Sequence, residues 1–157
     1  MKSVGKLIVS IFVCLLAGVL GSFATRDSLN TWYADLAKPF FVPPNWTFGV
    51  VWPILYAMMG ISVFLIWSKG TSERQVRVAL GLFAVQLVLN GLWTPIFFGL
   101  RMMALALIEI VLLWAAILAT TLAFWRISKT AAYLLLPYLT WVSFAVALNA
   151  SLWHLNR

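Results

Sequence analysis

Aromatic and amide side chains recur at helical spacing in three apolar segments of the chain. Trp52 and Tyr56 are four residues apart in one segment, and residues three or four apart share one face of a helix. The other two segments carry longer stripes, which are Gln86, Asn90, Trp93 and Phe97 in one and Pro137, Trp141, Phe144, Ala145 and Leu148 in the other. The pattern predicts a mostly aromatic pocket with a few amide and hydroxyl groups, which suits a flat apolar ligand.

Packing between helices is the alternative explanation of the same stripes. Aromatic rows fill helix interfaces, and amides form hydrogen bonds between membrane helices. An amide without a partner in hydrocarbon costs several kcal/mol, so Gln86 and Asn90 are expected to face the interior in either case. Periodicity alone leaves both interpretations open.

Other residue types give weaker evidence of chemistry. Glu109 lies about seven residues inside an apolar segment and is a functional-site candidate, with a packing contact as its alternative. His154, the single histidine, is expected at the membrane edge rather than on a haem iron. Cys14 is the single cysteine, which excludes an intrachain disulfide and a cysteine metal cluster. The sequence therefore predicts no metal site, no hydrolytic site and no proton-relay chain.

The composition indicates a membrane protein. Of the 157 residues, 64% are hydrophobic and 10% are charged, whereas about 25% are charged in a typical soluble domain. Five apolar segments are long enough to span a bilayer. They cover about residues 4–25, 46–67, 76–99, 102–125 and 130–153. We therefore expect an all-α integral membrane protein, a bundle of five transmembrane helices that forms a single domain over residues 1–157.

A polar stretch over residues 26–45, here called the lid loop, separates the first two segments. It holds Pro39, Pro43 and Pro44 together with several aromatic residues, which is typical of an interfacial loop. The first segment is predicted to be a retained helix rather than a cleaved signal peptide, because it is long for one. Pro53, Pro95 and Pro137 fall inside predicted spans, where proline tends to bend a helix.

The basic residues alternate between the two sides of the predicted bundle. Lys2, Lys6, Lys69, Arg74, Arg77, Arg126 and Lys129 fall on one side, and Arg26, Lys38, Arg101 and Arg157 on the other. This asymmetry favours a cytoplasmic N-terminus in a multi-pass protein of a bacterial cell membrane. Because the basic residues stand singly or in pairs between apolar runs, they indicate topology and not a nucleic-acid partner.

Several motifs resemble those of one known family. They are Trp32-Tyr33-x-x-Leu36-x-Lys38-Pro39, Pro43-Pro44-x-Trp46, Trp52-x-x-x-Tyr56, Asn90-x-x-Trp93-x-Pro95-x-Phe97-Phe98-Gly99 and Pro137-Tyr138-x-x-Trp141-x-x-Phe144-Ala145-x-x-Leu148-Asn149. Through them the chain closely resembles the TspO/MBR family, the tryptophan-rich sensory proteins of bacteria and the translocator proteins of mitochondria. The resemblance implies five transmembrane helices under a lid. It also leaves the bacterial outer membrane open as a location.

Family members bind porphyrins such as protoporphyrin IX, isoquinoline and benzodiazepine drugs and, in animals, cholesterol. The resemblance implies a pocket in this chain lined by Trp52, Asn90, Trp93, Trp141, Phe144, Ala145 and Leu148, with Tyr33, Pro43 and Pro44 from the lid loop. Trp52 and Trp141 match the tryptophans implicated in light-dependent porphyrin breakdown by some bacterial members. Two departures are Phe41, where many members have tryptophan, and Ala150-Ser151, where the sterol motif of animal members has tyrosine.

The expected function is that of a membrane receptor or sensor that binds a porphyrin, requires no cofactor, and is linked to tetrapyrrole regulation or oxidative stress. A light- and oxygen-dependent porphyrin-degrading enzyme and a transporter of tetrapyrroles, lipids or sterols are the alternatives. Arg26, Lys38 and Arg101 lie on the lid side, where they would pair with porphyrin propionates. Membrane lipid and a second copy of the chain are the other expected partners. Small residues such as Ala17 and Gly21, or Gly81 and Ala84, would form the homodimer face.

Overall fold

The computed structural model describes residues 3–157, which leaves out Lys2 of the N-terminal basic group. Within that range the chain forms five membrane-length helices and no strand. The helices are α1 (Ser3–Arg26), α3 (Asn45–Trp67), α4 (Arg74–Thr94), α5 (Met103–Trp125) and α6 (Lys129–Leu155), with a short helix α2 (Trp32–Asp35) in the lid loop. Each long helix is apolar and long enough to cross a bilayer. The predicted fold class is confirmed.

The helix ends follow the sequence pattern with small differences. Helix α4 begins at Arg74, two residues before the predicted start, and α6 ends at Leu155, two residues after the predicted end. Ser128 caps α6, since its hydroxyl accepts a hydrogen bond from the Ala131 N–H at 3.3 Å. Helix α2 was not predicted, because four residues between prolines and polar groups carry no readable periodicity.

The long helices form a closed ring in the order α1, α3, α6, α5, α4, with α4 returning to α1. Helices α3 and α4 are consecutive in the chain and touch, but each packs more extensively against other helices. Lys6 Nζ donates to the Trp67 carbonyl at 3.4 Å, which places the start of α1 beside the end of α3. Asn156 bonds to Ala37 in the lid loop, so the lid loop and the end of α6 share the opposite end, here called the lid end.

The three prolines within the spans have different local effects. Helices α3 and α6 run without interruption through Pro53 and Pro137. At Pro95, α4 passes into a π-helical turn over Pro95–Gly99, where the Leu100 N–H donates to the Pro95 carbonyl at 2.9 Å. Such turns insert an extra residue into a helix. Here the turn points Phe97 and Phe98 into a buried cluster with Tyr33.

Candidate functional site

A cavity of about 510 Å³ lies inside the ring of helices at the lid end. Its volume is within the range of roughly 300–1,000 Å³ that is common for small-molecule sites. All five long helices, the π-helical turn and the lid loop contribute lining residues. The residues predicted from the sequence that line it are Tyr33, Trp52, Tyr56, Asn90, Trp93, Phe97, Trp141, Ala145 and Leu148.

Three other predicted pocket residues lie outside the lining. Phe144 packs behind it, with its ring centroid 5.6 Å from that of Trp141 and 6.1 Å from that of Phe41. Pro44 occupies the N-cap position of α3, directly after Pro43. Within the lid loop, Leu29 and Tyr33 line the cavity instead, together with Arg26 and Asn45 at its two ends.

The three residues predicted to contact the propionates do not all lie at the cavity. Arg26 lines the cavity. Lys38 Nζ instead donates to the carbonyls of Ala34 and Leu36, at 3.0 and 3.3 Å, and lies 4.9 Å from the centre of the Tyr33 ring. Arg101 lies over the Trp32 ring at 5.9 Å. Aromatic rings of the lid loop hold both cations outside the cavity lining, and Lys38 also bonds to two backbone carbonyls.

A chain of hydrogen bonds runs from the cavity into the bundle. The Tyr56 hydroxyl donates to Asn90 Oδ1, and Asn90 Nδ2 donates to the Tyr138 hydroxyl at 2.8 Å. The Tyr138 hydroxyl in turn donates to Gln86 Oε1 at 2.9 Å. Tyr138 and Gln86 are both buried. The predicted inward orientation of Gln86 and Asn90 is confirmed, and the chain fixes the Asn90 amide at the cavity wall.

The aromatic walls of the cavity are held rigidly. The Trp52 ring stacks on Tyr56 at a centroid distance of 5.5 Å, and the Trp93 ring stacks on Phe97 at 5.0 Å. Trp93 Nε1 donates to Asn149 Oδ1 at 3.0 Å. Offset stacking of this kind and a bonded indole N–H fix ring orientation. The cavity therefore offers preformed flat surfaces.

One indole in the wall has a buried donor without a partner in the described part of the chain. The buried Trp141 Nε1 has no hydrogen-bond partner among residues 3–157, although the Trp141 ring packs edge-on against Phe48 at 5.9 Å. A buried N–H without a partner costs free energy. An acceptor atom on a molecule in the cavity would remove that cost.

The lid loop is fastened at several points. Ser28 Oγ donates to the Phe98 carbonyl at 2.8 Å. Asn156 uses both ends of its amide, accepting from the Ala37 N–H and donating to the Ala37 carbonyl, each at 2.9 Å. Tyr33 is 4% exposed, and this burial raises the pKa of its hydroxyl above the ordinary value of 10.0. Tyr33 is therefore a neutral group at physiological pH.

Sequence reasoning missed the contribution of α1. Leu15, Gly18, Val19, Ser22 and Thr25 of this helix line the cavity. Gly18 lies directly against the Tyr56 ring, so that a Cβ at this position would overlap it. The small residues at 18 and 22 were the one sequence feature that could have indicated this lining face of α1, but the same spacing also suits helix packing.

The remaining chemistry-bearing residues lie apart from the cavity lining. Glu109 is buried, and within the described part of the chain neither carboxyl oxygen has a hydrogen-bond partner. Its neighbour Ile110 faces the cavity, whereas Glu109 does not. Cys14 is buried and His154 is exposed. No cluster of three metal-binding side chains occurs in residues 3–157.

Comparison with known proteins agrees with this architecture. The sequence model of the TspO/MBR family matches residues 10–154. The chain belongs to the TspO/MBR family. Its resemblance to that family, inferred above from the motifs, is confirmed.

Relatives from two bacteria and from human match over most of their length. The tryptophan-rich protein TspO of Chlorobaculum tepidum is 43% identical over 99% of this chain and 98% of its own. The human translocator protein is 46% identical over 80% of this chain and 75% of its own. The tryptophan-rich sensory protein of Cereibacter sphaeroides is 36% identical over 94% and 92%. The chain is thus a multi-pass membrane protein of a family of sensory and translocator proteins.

Proposed function

We propose that this TspO/MBR protein is a membrane receptor that binds a porphyrin such as protoporphyrin IX in the cavity at the lid end. The observation that carries the proposal is the convergence of the Trp52, Trp93 and Trp141 indoles on one cavity. A porphyrin offers a wide π face, and such faces pack favourably against indole rings.

The polar groups of the cavity suit the edge of the same ligand. Arg26 lies at the lid end of α1 and lines the cavity, and its guanidinium is the charge that pairs best with a carboxylate. The free Trp141 N–H would donate to a ligand acceptor. A flat apolar molecule with carboxylates at one edge therefore matches the cavity in shape, surface and charge.

Titration with protoporphyrin IX tests the proposal. The protein, purified in detergent and kept in the dark, is expected to show saturable quenching of tryptophan fluorescence. Trp141→Phe is expected to weaken binding, because it removes the free donor and part of the stacking surface. Trp114→Phe is the matched control, since Trp114 lies outside the cavity lining and bonds to Ser143. Absence of saturable quenching in the wild type would refute the porphyrin proposal.

A light-dependent porphyrin-degrading enzyme is the second candidate, favoured by the position of both Trp52 and Trp141 on the cavity wall. Illumination of the same complexes in air separates the two functions. A stable porphyrin absorption spectrum supports a receptor. Loss of the main absorption band in the wild type, but not in Trp52→Phe or Trp141→Phe, supports an enzyme.

A further inference from the structure

The cavity is flanked by exposed residues on two neighbouring helices. Among residues 3–157, the side chains and glycines that line the cavity and are also exposed belong to α1 and α3. They are Val19, Ser22 and Arg26 on α1 and Asn45, Gly49 and Pro53 on α3. The lining residues of α4, α5 and α6, and Leu29 and Tyr33 of the lid loop, are buried or half-buried. The opening of the cavity therefore lies between α1 and α3.

The packing of α1 explains why the gap is there. Far from the lid end, α1 presses against α3, since a Cβ on Gly60 would lie 2.5 Å from Ile11 Cα. Near the lid end, Gly21 of α1 instead faces Thr94 of α4. Along its length towards the lid end, α1 therefore changes its close neighbour from α3 to α4. The position of a Cβ on Gly49 has no described neighbour within 4 Å.

The surroundings of this gap are apolar on the outside. Leu20 and Phe23 of α1 are 62% and 66% exposed, and Val50 and Ile54 of α3 are 51% and 55% exposed. Exposed apolar side chains within membrane-spanning helices face hydrocarbon. The gap is therefore bordered by lipid over most of its height.

The upper edge of the gap is polar, and the end of the bundle above it is covered. Arg26 and Asn45 stand where α1 ends and α3 begins, at the level where a membrane helix meets the headgroups. Above the cavity, the buried Tyr33 and the Ser28 bond to Phe98 hold the lid loop down. A flat molecule moving sideways through the gap keeps its apolar body in lipid and its carboxylates beside Arg26.

We infer that ligands reach the cavity from the lipid bilayer through the gap between α1 and α3, and not from water beneath the lid loop. The inference rests on the proposed function for the identity of the ligand, but not for the path. The ligand class is accordingly one that dissolves in the membrane and carries its charge at one edge. Gly49 and Ser22, on opposite sides, keep the path open by their small size.

A kinetic experiment tests the path with protoporphyrin IX and protein in phosphatidylcholine vesicles. Gly49→Leu and Ser22→Leu fill the gap from opposite sides. Each is expected to slow tryptophan quenching by about tenfold, which corresponds to about 1.4 kcal/mol on the barrier, and this slowing should exceed any loss of equilibrium affinity, because both residues also line the cavity. Gly91→Leu is the control, because Gly91 also has open space around its Cβ position in the described structure and does not line the cavity.

A second readout separates failure of the path from failure of the porphyrin proposal. A phosphatidylcholine with a photoreactive diazirine in its acyl chain is expected to label the buried Tyr56 in the wild type, with exposed Ile54 on the same helix as the reference. Gly49→Leu should reduce the Tyr56 signal relative to Ile54, and Gly91→Leu should not.

Each outcome has a defined meaning. Labelling that depends on residue 49, without porphyrin quenching, retains the path and rejects the porphyrin. Unchanged quenching rates and unchanged labelling in both filled variants overturn the path. Faster quenching in a variant with a loosened lid loop, together with no effect of Gly49→Leu, would place access beneath the lid loop instead.

Discussion

Asn90 and Tyr138 are joined by a buried hydrogen bond of 2.8 Å from the Asn90 amide to the Tyr138 hydroxyl. The bond connects α4 to α6 across the ring, and the Tyr138 hydroxyl in turn donates a hydrogen bond to Gln86 Oε1. An amide in the wall of an apolar cavity is therefore oriented by a residue that does not itself line the cavity.

Removal of the Tyr138 hydroxyl should destabilise the bundle. Tyr138→Phe leaves the Asn90 donor and the Gln86 acceptor without this partner, which costs about 1–3 kcal/mol in the free energy of unfolding. Tyr133→Phe is the control on the same helix, because Tyr133 is 55% exposed; its effect should stay within about 0.5 kcal/mol. Denaturant unfolding in detergent measures both, and equal stabilities would contradict the importance of the chain.

Most of the fold can be predicted from the sequence, because the position and length of each apolar segment are visible in the sequence itself. Five apolar segments need no tertiary information to be placed, and the stripe containing Asn90 and Trp93 can be oriented because an amide avoids lipid. The face of α1 cannot be chosen in this way. That helix is hydrophobic all round, so only its small size distinguishes Gly18, which faces Tyr56, from residues that face lipid, and small residues also suit helix packing.

Charged residues at the lid end are also hard to place from sequence. Lys38 and Arg101 are held by the aromatic rings of Tyr33 and Trp32, and these contacts form only when the loop has folded. The π-helical turn at Pro95 likewise depends on contacts that form only when the chain has folded. A proline predicts a disturbance of the helix, but the neighbouring packing decides whether the helix bends, widens or continues, as α3 does through Pro53.

A methyl group at residue 18 should damage both stability and the cavity. In Gly18→Ala the new Cβ overlaps the Tyr56 ring, which is fixed by stacking on Trp52 and by its bond to Asn90. Overpacking of this kind costs about 1–3 kcal/mol. Thermal unfolding should show a lower midpoint for Gly18→Ala.

The matched change at residue 91 is expected to raise the unfolding midpoint instead of lowering it. Gly91→Ala adds its methyl group to open space in the described structure, and the replacement of glycine by alanine within a helix gains up to about 1 kcal/mol. A midpoint that falls equally in both variants would show that the Gly18 contact is not the cause.

The amide of Asn156 should control the opening of the lid loop. Asn156→Ala removes both bonds to Ala37, and net contributions of about 1 kcal/mol per bond predict hydrogen exchange at the Ala37 amide that is faster by about thirtyfold. Ser151→Ala is the control, since Ser151 bonds only within its own helix, to the Ala147 carbonyl. Exchange mass spectrometry of residues 27–44 measures the effect, and unchanged exchange would show that other contacts hold the lid loop.

The buried Glu109 carboxyl is expected to lower the free energy of unfolding of the protein. Glu109 is 7% exposed and its carboxyl oxygens have no partner within residues 3–157. An unsatisfied buried polar group costs about 1–3 kcal/mol. Glu109→Leu is therefore expected to raise the free energy of unfolding, whereas Glu109→Gln, which keeps a polar group in place, should gain less. Unfolding of the three proteins in the same detergent gives the comparison. A Glu109→Leu protein that is less stable than the wild type would show that the carboxyl has a partner in the membrane, and a loss of porphyrin affinity at unchanged stability would connect Glu109 to the cavity beside Ile110.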